Sequence, residues 1–332
     1  MSRIAPFGAL SDGRNVDSVT LRGGGLTAHL LTYGAILQDL RMEGVAHPLV
    51  LGSDRIADYE GPLIHFGAIV GRFANRIAGG RFRIDGREWQ AELNEAGRTT
   101  LHGGTEGSGR MIWTIAAFSD SSATLTLEMP DGHMGFPGNL QVQVVCALPG
   151  DGALSFDITA TTDKPTPCSF AHHGYFDLDG SDDVRDHVLQ IAADHYLPVD
   201  AAQIPTGEEA LVKGTPFDFR DPREIGRHGY DHNFCLWRSR TELRPVALLR
   251  GTGGLGMEVD TTEPGLQVYD GALIPRIEGL EGRQYRPHAG IALETQVWPD
   301  APNHSRFPDW LLKPGQTYRH RVVYRFGAAQ GQ

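Results

Sequence analysis

The chain has 332 residues, 40% hydrophobic and 21% charged, with a formal net charge of −11 at pH 7. That acidic balance argues against nucleic acid and anionic membrane as partners, and no apolar run reaches the ~18 residues that a transmembrane helix requires. The length allows two domains, but all-β architectures often run long as one unit, and no composition shift marks a linker, so one domain over 1–332 is expected.

The start, MSRIAPFGALSDGRN, has no apolar signal-peptide region, so a secretory leader is not expected. Cys146, Cys168 and Cys235 are odd in number, far apart and outside any C-x-x-C, which points to a reducing, cytoplasmic setting without a disulfide framework. The stretch Gly67 to Phe82, GAIVGRFANRIAGGRF, carries Asn75 and Arg76, an amide and a guanidinium fork suited to hydroxyl groups. By residue type alone, the stronger reading of the stretch is a loop in which Arg76 is half of a structural Arg–carboxylate pair. GRFRIDGREWQAEL then reads as a hairpin with an Asp-Gly turn. In TTLHGGTEG, His102 precedes two glycines that permit a tight turn, a setting in which a lone histidine is more often a hydrogen-bonding structural residue than a ligand.

Short alternating segments follow. ATLTLEM puts Leu125 and Leu127 on one face, and LQVQVVCAL places Cys146 in strand packing. ALSFDITATTD points Leu154, Phe156, Ile158 and Ala160 inward and Ser155, Asp157 and Thr159 outward. CSFAHHGYFDLDG holds His172 and His173 beside Tyr175; adjacent strand residues face opposite ways, so only one histidine easily faces a given pocket, and the plain alternative is one exposed and one core histidine. GYDHNFCLW offers Asp231, and GLQVYDG offers Gln267 in a strand. Between them, Gly251 to Gly256 matches G-x-G-x-x-G, but MEVDTTEPG follows where a dinucleotide fold needs a helix, so a glycine-rich hairpin is expected. AGIALETQVWPDAPNH ends an apolar run on Glu294, and a desolvated carboxylate needs pairing, hydrogen bonding or a proton. YRHRVVYRF is a last strand. Many short strands without long helical periodicity predict an all-β sandwich or barrel.

Residue types leave several chemistries open. Metal has little support, since no H-E-x-x-H or helical H-x-x-x-H is present. A serine hydrolase lacks its G-x-S-x-G elbow. Asp231 and Glu294 could pair for glycoside hydrolysis, which leaves the histidines unexplained.

Taken in order, LTYGAILQDLRM, LVLGSD, GRFANRIAGGRF, LHGG, MGFPGNL, HHGYFDL, DHYLPVD, IPTGE, GTPFDFR, GYDHNF, QVYDG, LETQVWPDAPNH and LKPGQTY resemble the aldose 1-epimerase (galactose mutarotase) family over most of the chain. The resemblance implies a β-supersandwich of antiparallel sheets with a concave sugar-binding groove. It implies interconversion of the α and β anomers of a free hexose or pentose, with no metal or organic cofactor. Carried over by motif, the catalytic base falls on Glu294 and the catalytic acid on His173. Asn75, Arg76, His102, Asp231 and Gln267 match substrate-binding positions, and Tyr175 lies beside the acid. The implied partner is a small sugar, with no nucleic acid or membrane, bound by a monomer or homodimer. Three departures touch sugar preference: HHGYFDL stands where the family usually reads N-H-T-Y-F-N-L, Ser108 where an aromatic is usual, and Asp270 where a hydroxyl residue is common.

The implied reaction needs a base for the C1 hydroxyl proton and an acid for the ring oxygen. Partial desolvation would make Glu294 the better base. Two alternatives share the fold: a hexose 6-phosphate epimerase using Arg72, Arg76 and Arg110, and a sugar-binding protein without turnover.

Overall fold

The computed structural model describes residues 4–328; the first three and last four residues of the predicted 1–332 unit lie outside that description. The described chain is nearly all β, and its large sheets are antiparallel. A nine-stranded sheet runs, in spatial order, through Thr114–Phe118, Ser122–Met129, Leu140–Gly150, Ala153–Thr162, Tyr318–Ala328, Leu255–Thr261, Arg244–Arg250, Val188–Ile191 and Arg223–Glu224. A six-stranded sheet runs through Tyr175–Phe176, Ile291–Gln296, Gly265–Tyr269, Asp231–Cys235, His195–Tyr196 and Ala210–Leu211. An N-terminal meander of four strands spans Ile4 to Met42.

The predicted alternation is what joins the layers. Leu125, Leu127, Val144, Cys146, Leu154, Phe156, Ile158 and Ala160 all turn into the main core. There they meet Phe176, Ile291, Leu293, Leu266, Val268 and Phe234 from the six-stranded sheet. A polar rivet crosses the same interface, the Thr295 hydroxyl lying 2.8 Å from His320 Nε2. Ser155 departs from the outward expectation. It is buried, mid-sheet and in register with Ala147 and Val323.

The turn chemistry follows the sequence. Arg81–Ile84 and Arg87–Gln90 form the hairpin, and Asp85 and Gly86 both take positive φ (50° and 79°), as a two-residue turn that matches strand twist requires. The G-x-G-x-x-G stretch connects Arg244–Arg250 to Leu255–Thr261 as an antiparallel hairpin. Its exposed amides are taken by a carboxylate of the chain itself: Thr252 and Gly253 N–H donate to Asp179 at 2.7 and 2.9 Å.

Candidate active site

Period-2 geometry on the six-stranded sheet builds the floor of the site. Leu293 and Thr295 point into the sandwich, so Ala292, Glu294 and Gln296 point away from it. Glu294 pairs in register with Gln267, which pairs with Asn233, making one row across three strands. One step along, Ala292, Tyr269 and Asp231 make the next row. Gln267 Nε2 donates diagonally to Asp231 Oδ1 at 2.6 Å. Residues from three unrelated segments are thereby fixed by sheet register rather than by loops.

The walls come from the loops between Pro62 and His102 and from the histidine segment. His173 is tied by its backbone to the first of these: its N–H donates to Ala68 O, and its carbonyl accepts from Gly67 N–H. His172 turns the other way, stacked on Phe156 at 4.3 Å with Nδ1 3.2 Å from the Tyr324 hydroxyl. Asn75 and His102 both hold left-handed backbone (φ 63° and 51°). They lock together, His102 N–H donating to Asn75 O at 3.0 Å and Asn75 N–H donating to His102 Nδ1 at 3.1 Å. An Nδ1 that accepts leaves the neutral ring's proton on Nε2. Tyr175 stacks between Phe66 and His173, with ring centroids 4.0 and 5.0 Å away.

These elements enclose a groove of about 270 Å³ lined by Asn75, Arg76, His102, His173, Tyr175, Asp231 and Glu294 among others. That is a small volume, suited to a one-ring ligand. Gln267 reaches it through Asp231. A wider cavity of about 860 Å³ lies elsewhere, beside Asp157, Arg240 and Trp310, and holds none of the predicted site residues.

His173 Nε2 stands 3.6 Å from Glu294 Oε1, too far for a hydrogen bond but near enough for both to address one small group. Glu294 is only 2% exposed, and its Oε2 has no protein partner. Burial, reinforced by the Asp231 charge and offset by Arg76, pushes its carboxyl up to about 8. Burial first, then neighbouring His65, pushes His173 down to about 3, and burial holds His102 well below the usual histidine range. Burial thus favours the uncharged form of each group. Arg76 satisfies both sequence readings at once. Its Nε and Nη2 each reach Glu95 at 2.8 Å, a structural fork, while Nη1 lies 3.6 Å from Asp231 in the groove. One atom each from His102, His173 and Glu294 come within 4.8 Å of one another, a set that could also ligate a divalent transition ion, in competition with proton transfer.

Three polar or aromatic-polar wall residues escaped the sequence reading: His65, in PLIHFG, Glu95, in LNEAG, and Tyr269, in QVYDG. Tyr269 was recoverable, since it shares the strand face of Gln267. His65 sits in a loop with no periodicity to orient it.

Other expectations change. Arg72 cannot serve a phosphate in the groove: it is fully buried, and its guanidinium donates to the carbonyls of Met129, Pro130, Pro137 and Gly138. Arg110 is not among the groove-lining residues, and Arg76, the one Arg or Lys that is, already faces Glu95 and Asp231. Asp177, Ser108 and Asp270 also lie off the groove. Asp177 pairs with Arg283 at 2.5 Å, the Ser108 hydroxyl donates to Ile69 O, and Asp270 accepts from Tyr230 N–H.

A two-layer antiparallel sandwich carrying a buried imidazole–carboxyl pair in a polar, ring-sized groove defines an acid–base enzyme for small polyhydroxylated molecules. The sequence matches the aldose 1-epimerase family over residues 17–325. It is 40% identical to the galactose mutarotase of Rattus norvegicus over 337 residues, covering 97% of this chain and 98% of that protein. It is 36% identical to the aldose 1-epimerase of Escherichia coli K12, covering 95% and 96%. The fold is similar to that of galactose 1-epimerase from Lactobacillus acidophilus, with a TM-score of 0.86, 28% identity and 98% of each chain covered. The chain belongs to the aldose 1-epimerase family. It is an isomerase that interconverts the anomers of an aldose.

Proposed function

We propose that the chain acts on free aldoses, galactose and glucose among them, with Glu294 and His173 as the proton-transfer pair. The observation that carries the assignment is the 3.6 Å approach of His173 Nε2 to Glu294 Oε1 inside the groove. O1 and O5 of a cyclic aldose are bonded to the same carbon, so two groups that exchange protons with them must lie close together. With Glu294 at about 8 and His173 at about 3, the pair holds one proton across neutral pH. In the empty groove that proton rests on the carboxyl. A bound sugar supplies the hydroxyl donors that Glu294 Oε2 lacks, favouring carboxylate with imidazolium.

Carboxylate then takes the O1 proton, imidazolium gives its proton to O5, and the C1–O5 bond opens to the aldehyde. Rotation about C1–C2 presents the other carbonyl face. Reclosure runs the transfers backwards, returning the proton to His173. Each transfer contributes roughly 10²–10⁴-fold. Asn75, Arg76, His102, Asp231 and Gln267 hold the remaining hydroxyls while C1 stays free, and Tyr175 lines the wall. The galactose reading is supported by the names of the relatives, and a neutral sugar by the charge balance around Arg76.

The same reading treats residues 1–332 as one domain working as a monomer or homodimer. Among the described residues no helix is long and apolar enough to cross a membrane. Glu294→Gln keeps the shape of the side chain and removes the base. Polarimetry on fresh α-glucose and α-galactose is expected to show no exchange above the spontaneous rate while the variant stays folded. A variant as fast as the parent would show that the base has been misassigned.

A further inference from the structure

His65 is a groove residue that the reaction above leaves without a task. It lies between Leu63 and Phe66, which are buried in the apolar wall, and takes left-handed backbone, φ 73°, a conformation that few non-glycine residues adopt. The turn around it is held by its own hydrogen bonds, Phe66 N–H to Leu63 O and Ala68 N–H to His65 O, so the strained residue is fixed in place. Its imidazole is partly exposed and lines the groove, and its Nδ1 is buried with no hydrogen-bond partner. A polar ring held at a strained position without a partner costs stability unless a ligand uses it.

The three imidazoles form a triangle. The His65 centroid is 4.8 Å from His102 and 6.2 Å from His173, and His102 is 5.2 Å from His173. Glu294 joins His102 and His173 in the tight cluster of possible ligating atoms, and His65 does not. His65 is thus set by its ring contacts beside the two other imidazoles. With O1 at Glu294 and O5 at His173, the next ring atom beyond O5 is C5.

We propose that His65 is a specificity residue that hydrogen-bonds the exocyclic hydroxymethyl group on C5. This rests on the orientation assigned to Glu294 and His173. The ring is neutral in the working range, since burial pushes it down to about 4, so it serves a hydroxyl and offers no charge to a phosphate.

The test is a sugar panel with His65→Phe, which keeps the ring and removes its nitrogens, and His65→Asn, whose side chain tolerates left-handed backbone but is shorter. For glucose and galactose, kcat/KM should fall by roughly 5–20-fold, chiefly through KM. For xylose and 6-deoxygalactose, which lack the hydroxyl, it should change by less than about twofold. Should His65→Phe fail to fold, His65→Asn is expected to give the same split. Equal losses on all four sugars, a loss confined to kcat, or no loss on glucose and galactose would each overturn the proposal. Failure of the underlying reading looks different: Glu294→Gln would then keep its exchange rate on every sugar, whatever His65 does.

Discussion

At the scale of single residues, the central fact is a carboxyl kept out of water. Ordinary carboxyls lose their proton near pH 4, and Glu294 holds its own to about pH 8 because burial penalises the charge. Above that pH the pair with His173 carries no proton, so kcat/KM is expected to fall as pH rises through about 8. A kcat/KM that stays level to pH 10 would contradict this. The same shift has a stability sign. A raised folded-state pKa gives a contribution that is present below the ordinary carboxylate pKa and lost as pH rises through about 8. Glu294→Gln, which cannot ionise, should therefore gain stability relative to the parent between pH 5 and pH 9. Thermal unfolding at several pH values would show the gap in Tm widening on the alkaline side; a constant gap would mean that the carboxyl is already solvated.

At the scale of elements, the His172-His173-Gly174 segment departs from the usual family pattern in two places, and the structure couples them. A Cβ on Gly174 would lie 2.5 Å from Cε1 of His172, whose ring is stacked on Phe156 in the core. A larger residue at 172 thus requires the smallest at 174. Gly174→Thr alone is expected to cost roughly 1–3 kcal/mol through overpacking, and His172→Asn alone a similar amount through the cavity it leaves. The double variant should recover most of both losses, as measured by chemical denaturation. Additive losses would mean that the two positions are independent. Neither residue lines the groove, so sugar preference should be little changed in the rescued variant.

At the scale of the whole molecule, histidine burial sets the acid limit. His102, His172, His173, His187 and His320 are all buried, and burial leads the causes that push each below the ordinary histidine range. The unfolded chain takes up protons at these sites below about pH 6.5, and the folded one does so only at lower pH. Stability is thus present above the unfolded histidine pKa and lost as pH falls, by up to about 1.4 kcal/mol per pH unit for each group. Glu294, Asp39, Asp157, Asp270 and Asp300, which burial raises, work in the opposite direction, against nine histidines that burial lowers among the described residues. Urea unfolding at pH 7.0, 6.25 and 5.5 should give steadily smaller free energies, before most carboxylates titrate. Equal stabilities across that range would mean that the rings are hydrated in the folded state.

The sequence by itself determined the strand content, the two hairpins, the opposite facing of His172 and His173, and part of the set of residues that meet at Glu294. Local steric rules act over a few residues: period-2 alternation, turn dihedrals at Asp85 and Gly86, and a glycine-rich loop with no helix after it. Only the tertiary structure decided what these residues do to one another. The register that sets Glu294 beside Gln267 joins Gly265–Tyr269 to Ile291–Gln296 across the intervening residues 270–290, and the approach of His173 depends on backbone bonds to a loop some hundred residues earlier. The same packing removed Arg72 from any ligand, gave Asp177 a partner in Arg283, and brought His65 into the wall. Long-range packing decides desolvation, and desolvation is what shifts Glu294 and His173, the pair proposed to pass one proton, away from the behaviour of an ordinary glutamate and histidine.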